Sequence, residues 1–364
     1  MNKKIKRYNY IDLMKVVGIF FVIVYHSRLY NNDFMIENNI ANYIMYFFKA
    51  IVSTCVPIFF FVNGYLLFKK EFDLKKHLKK MLKLVLLSFL WELILLISYL
   101  YITNQKIYIS SSLILSYLSL DINYCLTIFW FIGALICIYL FFPLLKEVYD
   151  KNKKIFKYFV VVAFIFTFGV KALQEILNTI GYLTNTSESL KLDYEVFKMY
   201  NPFIGTYGYT FVYFCLGGLI HDYENKILDI PKSKRNTISF SIMILSCCAL
   251  FSIGIYHSNV LDLKTWDIVW NGYDTIFTLF NVIAIFVICL NYNKENKIIM
   301  SISKNTLGIF FIHVILIEAT KKYIIISNAY IESSYKIVYC ICILLICNLI
   351  CTLLKKISII KNMM

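Results

Sequence analysis

Two histidines, His26 and His313, fall inside long apolar stretches of the sequence. The same pattern places the other three, His77, His221 and His257, in loops between such stretches. A neutral imidazole among apolar side chains can accept a proton from a hydroxyl nucleophile, which is the task of a general base. His26 is therefore the first candidate for a catalytic residue. For His313 two interpretations stand equally: a structural hydrogen-bonding group, or a group that orients a substrate.

Asp12 and Lys15 precede His26 in the same apolar stretch. Lys15 stands eleven residues before His26, which is about 16 Å along a helix and almost three whole turns, so the two share a face. Asp12 stands three residues before Lys15, where the two charges can pair. The shared face makes His26, Lys15 and Asp12 candidates for one functional group, and a catalytic role for all three is an expectation. For Asp12 and Lys15 alone the alternative is an interfacial anchor.

Other apolar stretches contain isolated polar side chains. An ionisable group in hydrocarbon is unfavourable unless it is paired or faces a cavity, so each such group is a functional candidate. We predict a substrate-binding role for Asn63, Glu92 and Glu318, and for His313 in its second interpretation.

Membrane-spanning helices must position these residues. Apolar residues make up 60% of the 364-residue chain and the mean hydropathy is +0.68, whereas about 45–50% apolar is normal for globular domains. Stretches of about 17–25 apolar residues can cross a bilayer as helices. We predict an all-α integral membrane fold, one domain over residues 1–364 without an appended soluble domain. The ten predicted spans are residues 12–29, 45–68, 82–102, 126–145, 155–173, 202–220, 237–256, 273–291, 305–319 and 336–354.

Charge gives the orientation. Of the 37 Lys and Arg residues, 26 fall in one set of alternate segments, which includes both termini, and 9 in the other; Lys15 and Lys49 lie within spans. Because cytoplasmic loops concentrate basic residues, both termini are predicted in the cytoplasm of a multi-pass cell-membrane protein. Topology thus explains the +15 charge better than a nucleic-acid partner does. The 34-to-3 ratio of Lys to Arg favours an AT-rich bacterial genome.

Residues 69–83, which join the second span to the start of the third, carry seven lysines. One interpretation is an anchor on anionic membrane lipid. The other is a docking surface for a phosphate-bearing cytoplasmic cofactor, for which Lys76, Lys80 and Lys83 are the candidates. The eleven cysteines lie within the apolar stretches or, for Cys125, at an edge, and no pair has zinc-ligand spacing backed by histidines. We predict packing roles for them and no metal.

Six segments resemble the acyltransferase-3 family of bacterial membrane O-acyltransferases, and they occur in the family's order and spacing. They are YIDLMKVVGIFFVIVYHS (10–27), PIFFFVNGYLLF (57–68), HLKKMLKLVLLSFLW (77–91), FWFIGALICIYLFFPLL (129–145), YFCLGGLI (213–220) and NTLGIFFIHVILIE (305–318). The resemblance implies transfer of an acyl group, usually acetyl, from cytoplasmic acetyl-CoA to a hydroxyl of a surface polysaccharide or lipid-linked sugar. It also implies that His26 is the catalyst and that Lys15, where the family usually has Arg, assists it.

Other positions depart from the family pattern. The frequent Arg-x-x-Arg falls on Lys80 and Lys83, and the frequent Ser-Gly-Tyr is Asn63-Gly64-Tyr65. The histidine that often precedes a Trp-Phe pair is replaced by Ile128, before Phe129 and Trp130, which puts the substrate in doubt more than the chemistry. The resemblance adds Tyr65 and Trp130 to the substrate-binding candidates.

Several functions remain open at this point. Many relatives carry a soluble extracellular esterase-like domain, and none is predicted here. The transfer is therefore expected to be completed either by the membrane domain or by a separate extracellular partner. A transporter or flippase for a glycan or small molecule is the main alternative, although 12 Gly, 4 Pro and no repeat favour it little. A sensor or scaffold without catalysis is the other, but Lys15 and His26 are both present.

Overall fold

The computed structural model describes residues 7–27, 40–104, 106, 110–118, 128–184, 201–203, 207–260, 272–320, 323 and 329–357. Of these residues, 86% are helical and none lies in a strand, which confirms the all-α prediction. The helices are α1 (Asn9–His26), α2 (Ile40–Val52), α3 (Cys55–Phe68), α4 (Leu74–Thr103), α5 (Ser111–Leu118), α6 (Trp130–Lys151), α7 (Lys153–Phe164), α8 (Val170–Leu183), α9 (Tyr209–Leu228), α10 (Lys232–Val260), α11 (Ile276–Cys289), α12 (Lys297–Thr320) and α13 (Ala329–Leu354).

Eight helical segments in the described ranges are long and apolar enough to cross a membrane, and they correspond to eight of the ten predicted spans. The sixth and eighth predicted spans correspond to α9 and α11. The last third of α9 carries Asp222, Glu224 and Lys226, and α11 has 14 residues, about 21 Å of helix. The chain is thus a multi-pass membrane protein, while its orientation stays a prediction.

Several helices extend into segments that hydropathy assigned to loops. The lysine-rich segment is the start of α4, where the Asp73 carboxylate accepts a hydrogen bond from the backbone N–H of Lys76 and caps the helix. His77 is therefore helical and buried, with Nε2 2.7 Å from the carbonyl oxygen of Tyr139. His257, also predicted in a loop, is buried in α10 with Nε2 3.0 Å from Thr179 Oγ1. His221 lies in α9.

Two irregularities interrupt the spans. Ser53 and Thr54 separate α2 from α3, and each hydroxyl donates to a carbonyl three residues earlier. Pro57 has no N–H to donate to the Ser53 carbonyl oxygen four residues earlier, and this missing helical hydrogen bond accounts for the break between α2 and α3. The second is a π-helical turn at Ile165–Gly169 between α7 and α8.

The contacts divide the chain into two compact units. The first takes its residues from 1–69 and 154–303, and the second from 70–153 and 304–364. In the first unit, α3 and α9 approach through glycines. A Cβ on Gly64 would lie 1.8 Å from the Phe214 carbonyl oxygen, and one on Gly217 would lie 2.1 Å from that of Phe61. Small residues allow such close approach of membrane helices.

The second unit packs aromatic side chains between α4, α6 and α12. Trp91 stacks on Phe311 with the ring centroids 5.0 Å apart, and Phe129 lies on the same ring at 5.9 Å. Asn305 donates to the Asn348 side chain, which ties α12 to α13. Ten cysteines fall in the described ranges, all of them free thiols, and seven of these are buried.

Candidate active site

Lys15 and His26 lie on one unbroken helix, α1, as their spacing predicts. Eleven residues of regular helix place them about 16 Å apart along the axis and within about 20° of the same direction around it. Both side chains are half-buried. The run between them contains no proline and its glycine, Gly18, stays helical, because lipid leaves the backbone groups to be satisfied within the helix itself.

Asp12 takes partners other than the predicted one. Its Oδ2 accepts a hydrogen bond from Arg7 Nε and its Oδ1 accepts one from Ser303 Oγ, each at 2.5 Å. Arg7 also donates to the Met300 carbonyl oxygen. The prediction that Asp12 pairs with Lys15 is therefore wrong. Asp12 instead joins the start of α1 to the start of α12, where two strong donors compensate its burial.

Aromatic rings surround the His26 end of α1. The rings of Tyr25 and His26 have centroids 5.7 Å apart, and the Tyr25 ring lies 6.0 Å from that of Tyr273. The Tyr213 hydroxyl donates to the Tyr273 carbonyl oxygen, and Cys55 Sγ lies 3.7 Å from the Tyr273 hydroxyl. His26 therefore stands beside the half-buried Tyr25, whose ring packs on Tyr273 in the segment before α11.

The other end of α1 contains a tyrosine–glutamate cluster that the sequence reasoning missed. The hydroxyls of Tyr10 and Tyr65 lie 2.7 Å apart, and both donate to the Glu224 carboxylate. Lys69 Nζ lies 3.9 Å from the same carboxylate and 4.3 Å from the ring centroid of Tyr8. The cluster ties together α1, α3 and α9. Sequence reasoning ended the sixth span before Glu224, although His221 and Glu224 continue the helical spacing of Gly217.

Two substrate-binding candidates lie on α3 in the same unit. The Tyr65 side chain is fully buried and its hydroxyl bonds with Tyr10 and Glu224. Asn63 is half-buried, and its Nδ2 donates to the Phe59 carbonyl oxygen at 2.8 Å. These bonds fix the local structure, while contact of either residue with a substrate stays a prediction.

The candidate phosphate-binding lysines lie on α4, in the second unit. Lys76, Lys80 and Lys83 follow helical spacing along one face and all three are exposed. Lys76 Nζ pairs with Asp73 at 3.0 Å, and Lys80 Nζ lies 5.5 Å from the Tyr139 ring centroid. Hydrogen bonds from Lys76 hold the pKa of the Asp73 carboxyl below its usual value. Binding of donor phosphates by this exposed row of ammonium groups stays a prediction.

The remaining candidates also lie in the second unit. Glu92 and His313 are buried, and Trp130 and Glu318 are half-buried. His313 Nδ1 lies 3.1 Å from the Ile309 carbonyl oxygen. Because a carbonyl only accepts, Nδ1 carries the proton of the neutral ring, and Nε2 is the nitrogen with the lone pair.

The structure thus distributes the predicted site residues between the two units. The first unit holds Asp12, Lys15, His26, Asn63 and Tyr65, and the second holds Lys76, Lys80, Lys83, Glu92, Trp130, His313 and Glu318.

A family model described as an acyltransferase domain matches residues 8–354, nearly the whole chain. The match contains both Lys15 and His26 and every other predicted site residue. The chain therefore belongs to the acyltransferase-3 family, as the six segments predicted. No curated protein and no solved structure matches the chain.

Proposed function

From membership in the acyltransferase-3 family, we propose that the protein transfers an acetyl group from cytoplasmic acetyl-CoA to a hydroxyl of a cell-surface polysaccharide or lipid-linked sugar. Family membership establishes acyl transfer as the reaction class. The placement of Lys15 and His26 on one face of α1 is the observation that supports a catalytic centre on this helix. We place both termini in the cytoplasm, on the distribution of Lys and Arg.

In the proposed reaction His26 acts as the general base. It removes the proton of the acceptor hydroxyl while the oxygen attacks the thioester carbon. The carbon–sulfur bond breaks, the acetyl group remains on the acceptor oxygen, and His26 returns the proton to the coenzyme A thiolate. The alternative order, in which a transient acetyl-histidine forms first and the hydroxyl attacks it, uses the same residue. Lys15 supplies positive charge towards the donor.

Donor recognition rests on a separate part of the chain. The exposed row of Lys76, Lys80 and Lys83 supplies point charges for the donor phosphates. Lysine suits this role without the bidentate geometry that arginine offers.

Disruption of the gene tests the function in cells. Mild alkali releases acetate from O-acetylated glycans, so the surface glycans of a disrupted strain should release less acetate than those of the parent. Plasmid-borne wild-type protein should restore the release, whereas the H26A variant should not. If the disrupted strain and the parent release equal acetate, the proposed acceptor is wrong. A change in the amount of surface glycan with unchanged acetate content would instead favour the transporter.

A further inference from the structure

Phe72 is an exposed aromatic residue at the start of the lysine row in the second unit. It directly precedes Asp73, the residue that caps α4. A residue in this position often packs on the fourth residue of the helix, and Phe72 does so on His77, with the ring centroids 5.6 Å apart. The contact accounts for one side of Phe72, while 36% of the residue stays exposed.

A base of buried rings from α4 and α6 supports Phe72. Its ring meets that of Phe142 edge to face, with the centroids 5.6 Å apart. His77 packs on Phe142 at 5.4 Å and on Tyr139 at 5.5 Å, and its Nε2 donates to the Tyr139 carbonyl oxygen. Neither ring contact of Phe72 is a parallel stack. The base therefore holds the Phe72 ring without stacking a neighbour on its faces.

Two lysines of the row lie beside this base. Lys76 Nζ is 3.0 Å from the carboxylate of Asp73, the residue that follows Phe72. The two side chains are 86% and 45% exposed, so water screens the pair and a polyanion can reach the ammonium group. Lys80 Nζ lies 5.5 Å from the ring centroid of Tyr139, a member of the base. An accessible flat ring and accessible ammonium groups thus occur together at the start of α4.

This combination matches the chemistry of a phosphorylated nucleoside. Every base has a π-face that stacks on an aromatic side chain, and ammonium groups bind phosphates as point charges. Coenzyme A carries its adenine and its phosphates at the same end of the molecule. A lipid headgroup would also contact the lysines, but it offers no flat ring to Phe72. Residues 70–83 contain six lysines and two acidic residues, so the local charge favours a polyanion.

We propose that Phe72 is the stacking face for the adenine of coenzyme A, with Lys76 and Lys80 binding the phosphates beside it. The inference rests on the proposed function and adds the residue that recognises the nucleotide part of the donor. Lysines alone attract any phosphorylated compound, whereas a stacking face distinguishes coenzyme A from a phosphorylated thiol that lacks a base. Phe72 is therefore a specificity-determining residue for the donor.

The test measures binding of coenzyme A to the purified full-length protein in a nonionic detergent by titration calorimetry. F72L keeps an apolar contact with His77 but has no flat face, so its Kd for coenzyme A should rise about fivefold or more, the loss of one base–aromatic stack. F72W offers a flat face again and should bind within about twofold of wild type. F280L, a substitution of a 43% exposed phenylalanine on α11, is the matched control and should leave the Kd unchanged.

A second ligand separates stacking from a general disturbance of the surface. 4′-Phosphopantetheine lacks the adenosine and should bind F72L and wild type equally. An unchanged Kd for coenzyme A in F72L, an equal rise of the Kd for both ligands, or an F72W variant as weak as F72L would overturn the subsite. The proposed function fails differently: the wild-type protein would then bind coenzyme A through Phe72, while vesicles containing it would transfer no acetyl group to glycan.

Discussion

Lys15 and His26 stand eleven residues apart on one face of α1, with regular helix between them. Their side chains thus occupy different depths of the same helix, about 16 Å apart along its axis. A positive charge at one depth and a base at the other are what a reaction needs when an anionic donor enters from one side and a hydroxyl arrives from the other. The proposed function gives the two residues separable roles, and each role gives its own prediction.

The K15A variant should lower kcat for acetyl transfer by about a hundredfold, the effect of removing one electrostatic stabiliser of a transition state. K15R keeps the charge and should retain most of the activity, because the family usually has arginine at this position. Transfer of label from acetyl-CoA in vesicles measures both. The control is K151A, whose lysine is 76% exposed and pairs with Glu147. K15A activity at the K151A level would refute an electrostatic role for Lys15.

The K80M variant should raise KM for acetyl-CoA about threefold to tenfold, and the effect should shrink at high salt, since exposed charges are screened. Lys75 is also exposed on α4 but lies about 100° around the helix from Lys76 and about 140° from Lys80, so K75M is the matched control. The KM of S-acetyl-pantetheine, which lacks the phosphates, should be the same in both variants. Equal donor KM values for K75M and K80M would indicate a lipid anchor instead.

The Y65F variant should lower the free energy of unfolding by about 1–3 kcal/mol, because the Glu224 carboxylate loses a buried donor. The midpoint of thermal unfolding in detergent micelles reports the change. Y101F removes the hydroxyl of a tyrosine that is 84% exposed and should not shift the midpoint. If Y65F melted at the wild-type temperature, the tyrosine–glutamate cluster would contribute nothing to stability.

The G64A variant should fail to fold, because the added Cβ would lie 1.8 Å from the Phe214 carbonyl oxygen and backbone cannot yield by that much. G133A has no atom within 4 Å of its added Cβ and should fold normally. The yield of monodisperse protein after detergent extraction distinguishes the two. Equal yields would contradict the close contact between α3 and α9.

Hydropathy predicted the membrane-spanning helices, although not the short α5, because lipid imposes a length and composition on each span. Hydropathy misplaced the ends of the helices, because lysine side chains can extend from a helix to water and so do not end it. The helix α4, for example, begins eight residues before the predicted span. The placement of Lys15 and His26 needed only helical periodicity. The composition of a span and its helical periodicity are properties of a single segment, so the sequence alone could predict both.

Contacts between distant segments were beyond this reasoning. Glu224 bonds to Tyr65, 159 residues away, and Ser303 bonds to Asp12 across 291 residues. Arg7, which takes the place expected for Lys15 as the partner of Asp12, precedes the helix and so does not follow helical spacing. Lys171 and Glu175 form an ion pair at 2.7 Å, and their i,i+4 spacing could have predicted it. The fifth predicted span ended at residue 173, so Glu175 was assigned to a loop instead of the same helix.

Acetyl transfer by the H26A variant tests the central claim most directly. Vesicles containing wild-type or H26A protein, at equal amounts and with equal unfolding midpoints, receive labelled acetyl-CoA and de-O-acetylated host glycan. Loss of a general base should lower the rate of labelling by about 100-fold to 10,000-fold. Labelling of the glycan by H26A at the wild-type rate would contradict the assignment of His26 as the catalytic residue.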